Sequence, residues 1–399
     1  MTREARKSLA GNMMRRWLAG ASLMAALAMG AAEATAQDVP GVTENEIRLG
    51  AVWATSGPVR FVTEGIEQAV IAFYNEVNEK GGIHGRMINF TVDDDAYQPA
   101  RTLAGVKKLI ERDGVFAITG QLGAPGAAAI IPYVSQTGTP LLIIGAVPEP
   151  QPDNVFGFQA SYSDHIYHLT RHILAENPKV KLGYLYQNDD LGEIGRNGLE
   201  LALEEANAKA QLVADVGFER GSTDYATQVL RLRDAGVETV IVMGTVASTA
   251  TAIKQAASSG YEPTWATYST GGSALKNLVG DLVEGAYFTM EAENDTSDSA
   301  GMQKARETVR KHLPDAKFDS NTMLGYALAE VAVKALEAAG PDLTQEKFLA
   351  AIAGMGEMES DVMPLSFSPE KHTGAHAITV FQWKGGEAVA VSDWLPISK

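Results

Sequence analysis

The reading of this chain turns on Val115–Ile131, VFAITGQLGAPGAAAII. A short apolar run, Val115 to Ile118, lies between Gly114 and Gly120. The chain then turns through Gly120, Gly123, Pro125 and Gly126 and enters an Ala-rich segment. Apolar run, glycine loop and helix-forming segment, in that order, predict a buried parallel strand leading into the start of a helix. Such a turn presents backbone N–H groups at the positive end of a helix, which suits an anionic or polar group of a small ligand. The stretch offers no nucleophile, general base or metal ligand, so it reads as part of a binding site rather than a reaction site.

At 399 residues the chain is long enough for two ordinary domains, and an apolar content of 45% can fill their cores. Residues 1–36 read as a cleaved secretory signal peptide. Arg3, Arg6, Lys7, Arg15 and Arg16 form its basic region, and Ala34-Thr35-Ala36 fits a small-x-small cleavage site. The apolar run between them, Trp17 to Ala32, falls short of the ~20 residues a spanning helix needs. With no cysteine anywhere, disulfides and cysteine-ligated metals are excluded. Beyond residue 36 the chain has 28 basic against 47 acidic residues, a formal charge of −19. That balance argues against nucleic acid and anionic membrane surfaces as partners.

Working outward, strands are expected at Ile47–Val52, Met87–Val92, Pro140–Ile144, Lys181–Tyr186, Leu212–Gly217, Thr239–Met243 and Thr264–Tyr268. Helices alternate with them, over Pro99–Arg112, Ser163–Glu176, Gly192–Ala208, Tyr225–Ala235 and Ala247–Ser259. The first helix is read from Ile66, Ala69, Val70, Phe73 and Val77, which recur at helical spacing. This alternation predicts parallel sheets covered on both faces, and so many strands predict two doubly wound α/β domains rather than one wide sheet. After Met290 the chain reads as helical (Gly301–His312, Asn321–Ala339, Thr344–Ala353), closing with strand-like runs at His376–Trp383 and Ala388–Trp394. The polar segment Glu291–Ser299 is expected to cross between the domains.

The strings GVTENEIRLGAVWATSGP (Gly41–Pro58), NEVNEKGGIHGR (Asn75–Arg86), FTVDDDAYQP (Phe90–Pro99), LYQNDDLG (Leu185–Gly192) and FQWKGG (Phe381–Gly386) occur in an order that resembles the leucine/isoleucine/valine-binding family. Those are type I periplasmic solute-binding proteins of ABC transporters. The resemblance covers nearly everything from Val39 onward. It implies two Rossmann-like lobes joined by three hinge crossings, with a ligand held between them. Lobe 1 would comprise 38–158 plus 290–373, and lobe 2 159–289 plus 374–399. It further implies a periplasmic location, permease and ATPase subunits as partners, a small amino acid, carboxylate or amide as ligand, and no cofactor. A ligand sensor on the same fold, signalling to a membrane kinase or chemoreceptor, is the alternative.

Carried onto this chain, the resemblance places the ligand carboxylate at the loop Gln121, Leu122, Gly123 and Ala124, and at Gly145, Ala146 and Val147. Ala124 stands where the family has a serine, and Val147 where it has a threonine. Phe61, with Trp53 behind it, would cover the ligand, while Leu191 and Thr245 would line lobe 2. The largest departure is Ser269, at the position where amino-acid-binding members carry a glutamate for the ligand ammonium. A buried ammonium without a carboxylate costs several kcal/mol, on the order of a broken buried ion pair. Ser269 therefore points to an amide, or to a carboxylate with an apolar body.

The remaining polar clusters read as structure. His165, His168 and His172 share one helix face. His168 and His172 have the i, i+4 spacing of metal ligands but no second cluster to complete a site. Only His165, in the first turn, is expected to approach ligand. Asp93-Asp94-Asp95 is expected to cap the helix after Pro99, and Asn188-Asp189-Asp190 the next helix but two. Trp383 and Trp394 are expected to pack. No GxSxG, Walker A or GxGxxG motif is present, so no catalytic residues are assigned and the chain is not read as an enzyme.

Overall fold

The computed structural model describes residues 39–397 apart from 58, 149, 293–296 and 359. The expected signal peptide lies outside the described residues. The first sheet has the order β2-β1-β3-β4-β5. Its strands are β1 (Glu46–Trp53), β2 (Met87–Asp94), β3 (Ala117–Gln121), β4 (Leu141–Ile143) and β5 (Val155–Gly157), all parallel. The helices threaded among them are α1 (Arg60–Glu79), α2 (Pro99–Lys107) and α3 (Ala124–Thr137).

The chain then enters a second sheet through α4 (Tyr162–Glu176). Its parallel part has the order β10-β9-β8-β6-β7. The strands are β6 (Leu182–Gln187), β7 (Leu212–Phe218), β8 (Thr239–Met243), β9 (Thr264–Thr267) and β10 (Tyr287–Met290). The helices between them are α5 (Asp190–Glu205), α6 (Ala226–Asp234), α7 (Val246–Ser258) and α8 (Ser273–Val279). Three more helices follow, α9 (Ala300–His312), α10 (Ser320–Ala339) and α11 (Gln345–Ala353). Of these, α9 and α10 return to pack on α1, beside the first sheet. The hairpin β11 (Gly356–Met358) and β12 (Leu365–Phe367) precedes β13 (Ala377–Lys384), which re-enters the second sheet antiparallel to β10. It pairs in turn with β14 (Glu387–Ala390) and β15 (Leu395–Pro396). The chain thus passes between the two sheets three times: before α4, after β10 and before β13.

Strand β8, TVIVM, shows why the central strands are apolar throughout. Val240 and Val242 enter one core cluster with Leu185 and Phe288, while Ile241 and Met243 enter another with Tyr184 and Leu199. Both faces are covered, so alternation disappears. Each fully buried aliphatic side chain contributes about 1.5–3 kcal/mol of transfer free energy. The pairing of α10 with α1 needs a residue without a side chain, because a Cβ on Gly325 would lie 2.2 Å from the Ile66 carbonyl oxygen.

Several expectations shift. Strand β3 begins at Ala117 rather than Val115 and runs through Gly120, where the chain was expected to break. The Trp53 ring occupies the space above it: a Cβ on Gly120 would lie 2.3 Å from Cζ3. That glycine is a packing requirement, not a turn. Strands β5 and β10 and helix α8 were not predicted, each being short. Asp94 and Asp95 do not cap α2, whose N-cap is Gln98 with no side-chain bond. Asp94 instead accepts from the amides of Thr55, Ser56 and Ala96, and Asp95 from the Tyr97 amide and the Thr102 hydroxyl, tying β1 and β2 loops together. Trp394 is 49% exposed and does not pack, because β14 ends at Ala390 and the chain leaves the sheet edge before it.

Candidate functional site

One cavity, of about 90 Å³, is lined from both sheets. From the first sheet come Val59 and Val62 after β1, and Leu122 and Gly123 after β3. From the second come Leu191 after β6, Thr245 and Val246 after β8, Tyr268 to Thr270 after β9, and Met290 to Ala292 after β10. These residues all follow the carboxyl ends of parallel strands. They include both places where the order of winding reverses, β1/β3 and β6/β8, where open α/β sheets hold their ligands. Beside it lies a larger hollow of about 730 Å³, bordered by Gln121, Ala124, Gly145, Ala146 and Val147. Gly123 and Tyr162 border both.

The predicted loop is where the two hollows meet. Gly123 is the N-cap of α3 at φ +104, and a Cβ there would lie 2.7 Å from the Tyr97 ring. The amide of Ala127 bonds back to Gly123 O at 3.0 Å. Pro125 has no N–H, so the amides left without an intrahelical acceptor at this helix start are those of Ala124 and Gly126. Gln121 donates from Nε2 to Gly123 O at 3.0 Å, holding the loop. Its Oε1 is buried without a partner among the described residues. Of the second loop, Val147 has its amide engaged by Thr373 Oγ1 at 3.0 Å, so it is not free for a ligand anion.

On the opposite wall, Thr245 caps α7 by accepting from the Ser248 amide at 3.2 Å, and Leu191 is buried. Ser269 opens a short turn, Ser269–Gly271, at the cavity. Phe61 does not line it. Val59, the N-cap of α1, and Val62 in its first turn line the cavity, and Phe61 is turned out, 36% exposed. Three tyrosines not flagged from the sequence make up much of the wall. Tyr162 and Tyr268 meet with ring centroids 4.9 Å apart, and the Tyr268 hydroxyl donates to Gly244 O at 2.9 Å. Burial pushes both hydroxyls well above the usual range. Tyr97, from the β2 loop, is pushed up to about 12 by burial, and its ring lies 5.7 Å from the Arg220 guanidinium. Arg220 also donates to Asp189 Oδ2 from Nη2 at 2.6 Å and Nε at 2.9 Å. Asp189 in addition accepts from the Leu191 amide, the cap expected of it.

His165 lies beneath the cavity rather than in it. It is fully buried, with Nδ1 2.8 Å from Thr289 Oγ1 and Nε2 2.9 Å from Glu291 Oε1. Glu291 itself reaches the cavity wall. It was missed because it follows β10, a strand of four residues with no clear sequence signal. His168 and His172 are not brought to a metal cluster; His168 Nε2 lies 3.1 Å from Pro396 O, and His172 pairs weakly with Glu176 at 3.6 Å.

Known proteins share this fold. A Leu/Ile/Val-binding protein homolog 7 from Brucella melitensis is 24% identical over 390 residues, covering 92% of this chain and 94% of its own. Among solved structures, a branched-chain amino acid ABC transporter protein from Thermus thermophilus with bound valine superposes with a TM-score of 0.80 at 22% identity, covering 90% of this chain and 98% of its own. A fatty acid ABC transporter substrate-binding protein from Thermomonospora curvata gives 0.78 at 23%, covering 90% and 94%. The fold is therefore that of the type I periplasmic binding proteins, two α/β lobes with three crossings. A sequence profile of periplasmic binding proteins matches residues 46–388, the whole span from β1 to β14, so the chain belongs to the periplasmic binding protein family.

Proposed function

We propose that this protein is an exported solute receptor, the substrate-binding protein of an ABC transporter. It captures a small amino acid or a related carboxylate or amide between two closing lobes. The observation that carries this is a cavity lined from the carboxyl ends of both sheets, with the helix start at Gly123 on one wall. The lobes are taken as 38–158 plus 290–373 and 159–289 plus 374–399. The ligand anion docks on lobe 1 at the amides of Ala124 and Gly126, where the positive end of α3 favours it. Closure then brings Leu191, Thr245 and Ser269 over it and removes it from water. Higher affinity for the closed form does the switching, with no covalent chemistry. Delivery goes to a permease with its ATPases, from the periplasm. No helix among the described residues is long and apolar enough to cross a membrane.

A thermal-shift screen of residues 37–399 tests the reading. The panel holds leucine, valine and phenylalanine, their deaminated acids, and short amides. A ligand at 100 times its Kd adds about 2.7 kcal/mol to folding stability, a shift that a melting curve resolves. At least one member is expected to raise the melt; a flat response across the panel contradicts the proposed ligand class.

A further inference from the structure

We infer that a third hollow, of about 390 Å³ beside β13, is a second binding site, separate from the solute cavity, that takes a small aromatic carboxylate with its anion on Lys276. The inference does not depend on which solute the main cavity holds.

The floor of this hollow is the antiparallel edge of the second sheet. Phe288 on β10 stands opposite Phe381 on β13, and Trp383 follows two residues on, so the three rings share one face. The Phe288 ring centroid lies 5.4 Å from that of Phe381 and 5.8 Å from that of Trp383, with both pairs stacked. Trp383 is locked in place by Nε1 donating to Gly271 O at 2.9 Å. Ser273 and Lys276 of α8 form one wall, and Gly386 to Ala388 of the turn into β14 another. A fixed row of rings suits a flat aromatic body.

Lys276 supplies the charge. Its Nζ lies 5.0 Å from the Trp383 ring centroid. Among the described residues no carboxylate or carbonyl pairs with it. A ring face attracts an ammonium without neutralising it, so its charge and its donors remain for an anion. The other charged residue on the lining is Glu387, which is exposed at the rim and forms no ion pair with Lys276. Two further carboxylates belong to adjoining segments and are already engaged. Glu284 accepts from the amides of Gly385 and Gly386 at 2.7 and 3.2 Å, and Asp319 from those of Asn321 and Thr322.

Lys276, Phe381 and Trp383 take no part in the solute cavity, although Met290 and Ser320 border both spaces. Ser320 opens α10, which packs beside the first sheet, whereas the other lining residues belong to elements of the second. The site is therefore complete only with the two sheets together, and its occupant favours the closed form.

The test is calorimetric titration of the mature protein with indole-3-acetate and 3-phenylpropanoate, and with indole-3-acetamide and 3-phenylpropanamide as uncharged controls. Each is run on wild type, Lys276→Gln and Lys276→Arg. At least one carboxylate is expected to bind wild type, tenfold or more tightly than its amide. Lys276→Gln should weaken that binding at least tenfold, and Lys276→Arg, which keeps the charge, should retain most of it. The melting temperature without ligand, expected to change little in either variant, separates lost binding from misfolding. Carboxylate affinity within twofold of wild type in Lys276→Gln places the probes elsewhere and overturns the inference. Failure of both carboxylates to bind wild type overturns it as well. Neither result bears on the amino acids and other solutes proposed for the main cavity.

Discussion

The contact between Tyr97 and Arg220 joins the two sheets at the cavity edge, and it gives a measurable handle on closure. Tyr97 follows β2 of the first sheet, and Arg220 follows β7 of the second. Arg220 has two classes of partner. Its bonds to Asp189 stay within the second sheet's own loops, so opening leaves them intact. Its approach to the Tyr97 ring, at 5.7 Å, exists only when the two sheets are together. A partly exposed cation–π contact is worth about 1 kcal/mol. Arg220→Ala should therefore weaken the closed, ligand-bound form by about that much, roughly a fivefold rise in Kd at 1.4 kcal/mol per tenfold. The loss should fall mainly on the dissociation rate, read by stopped-flow fluorescence beside calorimetry. Removing the Asp189 pair will also lower the melt without ligand, so a cycle is needed. In a Tyr97→Ala background, Arg220→Ala should cost the same folding stability but add nothing to Kd. If Arg220→Ala lowers the melt and leaves Kd within twofold of wild type, the Tyr97 contact is no part of the bound state and the closure argument fails.

Other predictions follow from single positions. Gly123→Ala forces a side chain onto a φ of +104 against Tyr97, which costs about 1–3 kcal/mol and should lower the melting temperature by several degrees, measured by calorimetry. Glu76 is held down to about 2, chiefly by Lys311, with His312 and Lys80 adding to it. A depressed carboxylate contributes stability that is present above its unfolded value near 4.5 and lost as pH falls toward 2. The melting difference between wild type and Glu76→Gln should thus be largest near neutrality and shrink steadily below pH ~4.5. It should be small throughout, because the group sits at the surface. A difference that grows with acid would refute the assignment.

Much of the fold was legible because buried parallel strands are long apolar runs broken by glycine and flanked by periodic helices. Strand β8 was read to the residue, and β6 to within one at each end. What escaped were elements too short to carry a period, β5, α8, β10, β11, β12 and β15, and glycines whose role is a neighbour's ring rather than a turn, such as Gly120 under Trp53. The site divided along the same line. The helix start at Gly123 and the wall positions Leu191, Thr245 and Ser269 follow predicted strands, and the structure brings them to one cavity. Phe61 was misplaced by one step around a helix. Tyr97 lies in a loop whose acidic residues suggested capping, and Glu291 follows an unpredicted strand. His165 was placed near the ligand from its position in the first turn of α4; the structure sets it behind Glu291, a difference that depends on β10.

The most direct test of the account is a crystal structure of the mature chain grown with the tightest-binding solute of the screen. The account predicts the ligand in the cavity between Gly123 and Ser269, with its anion at the start of α3. A ligand bound away from that cavity, or held by one lobe alone in a closed molecule, would contradict it.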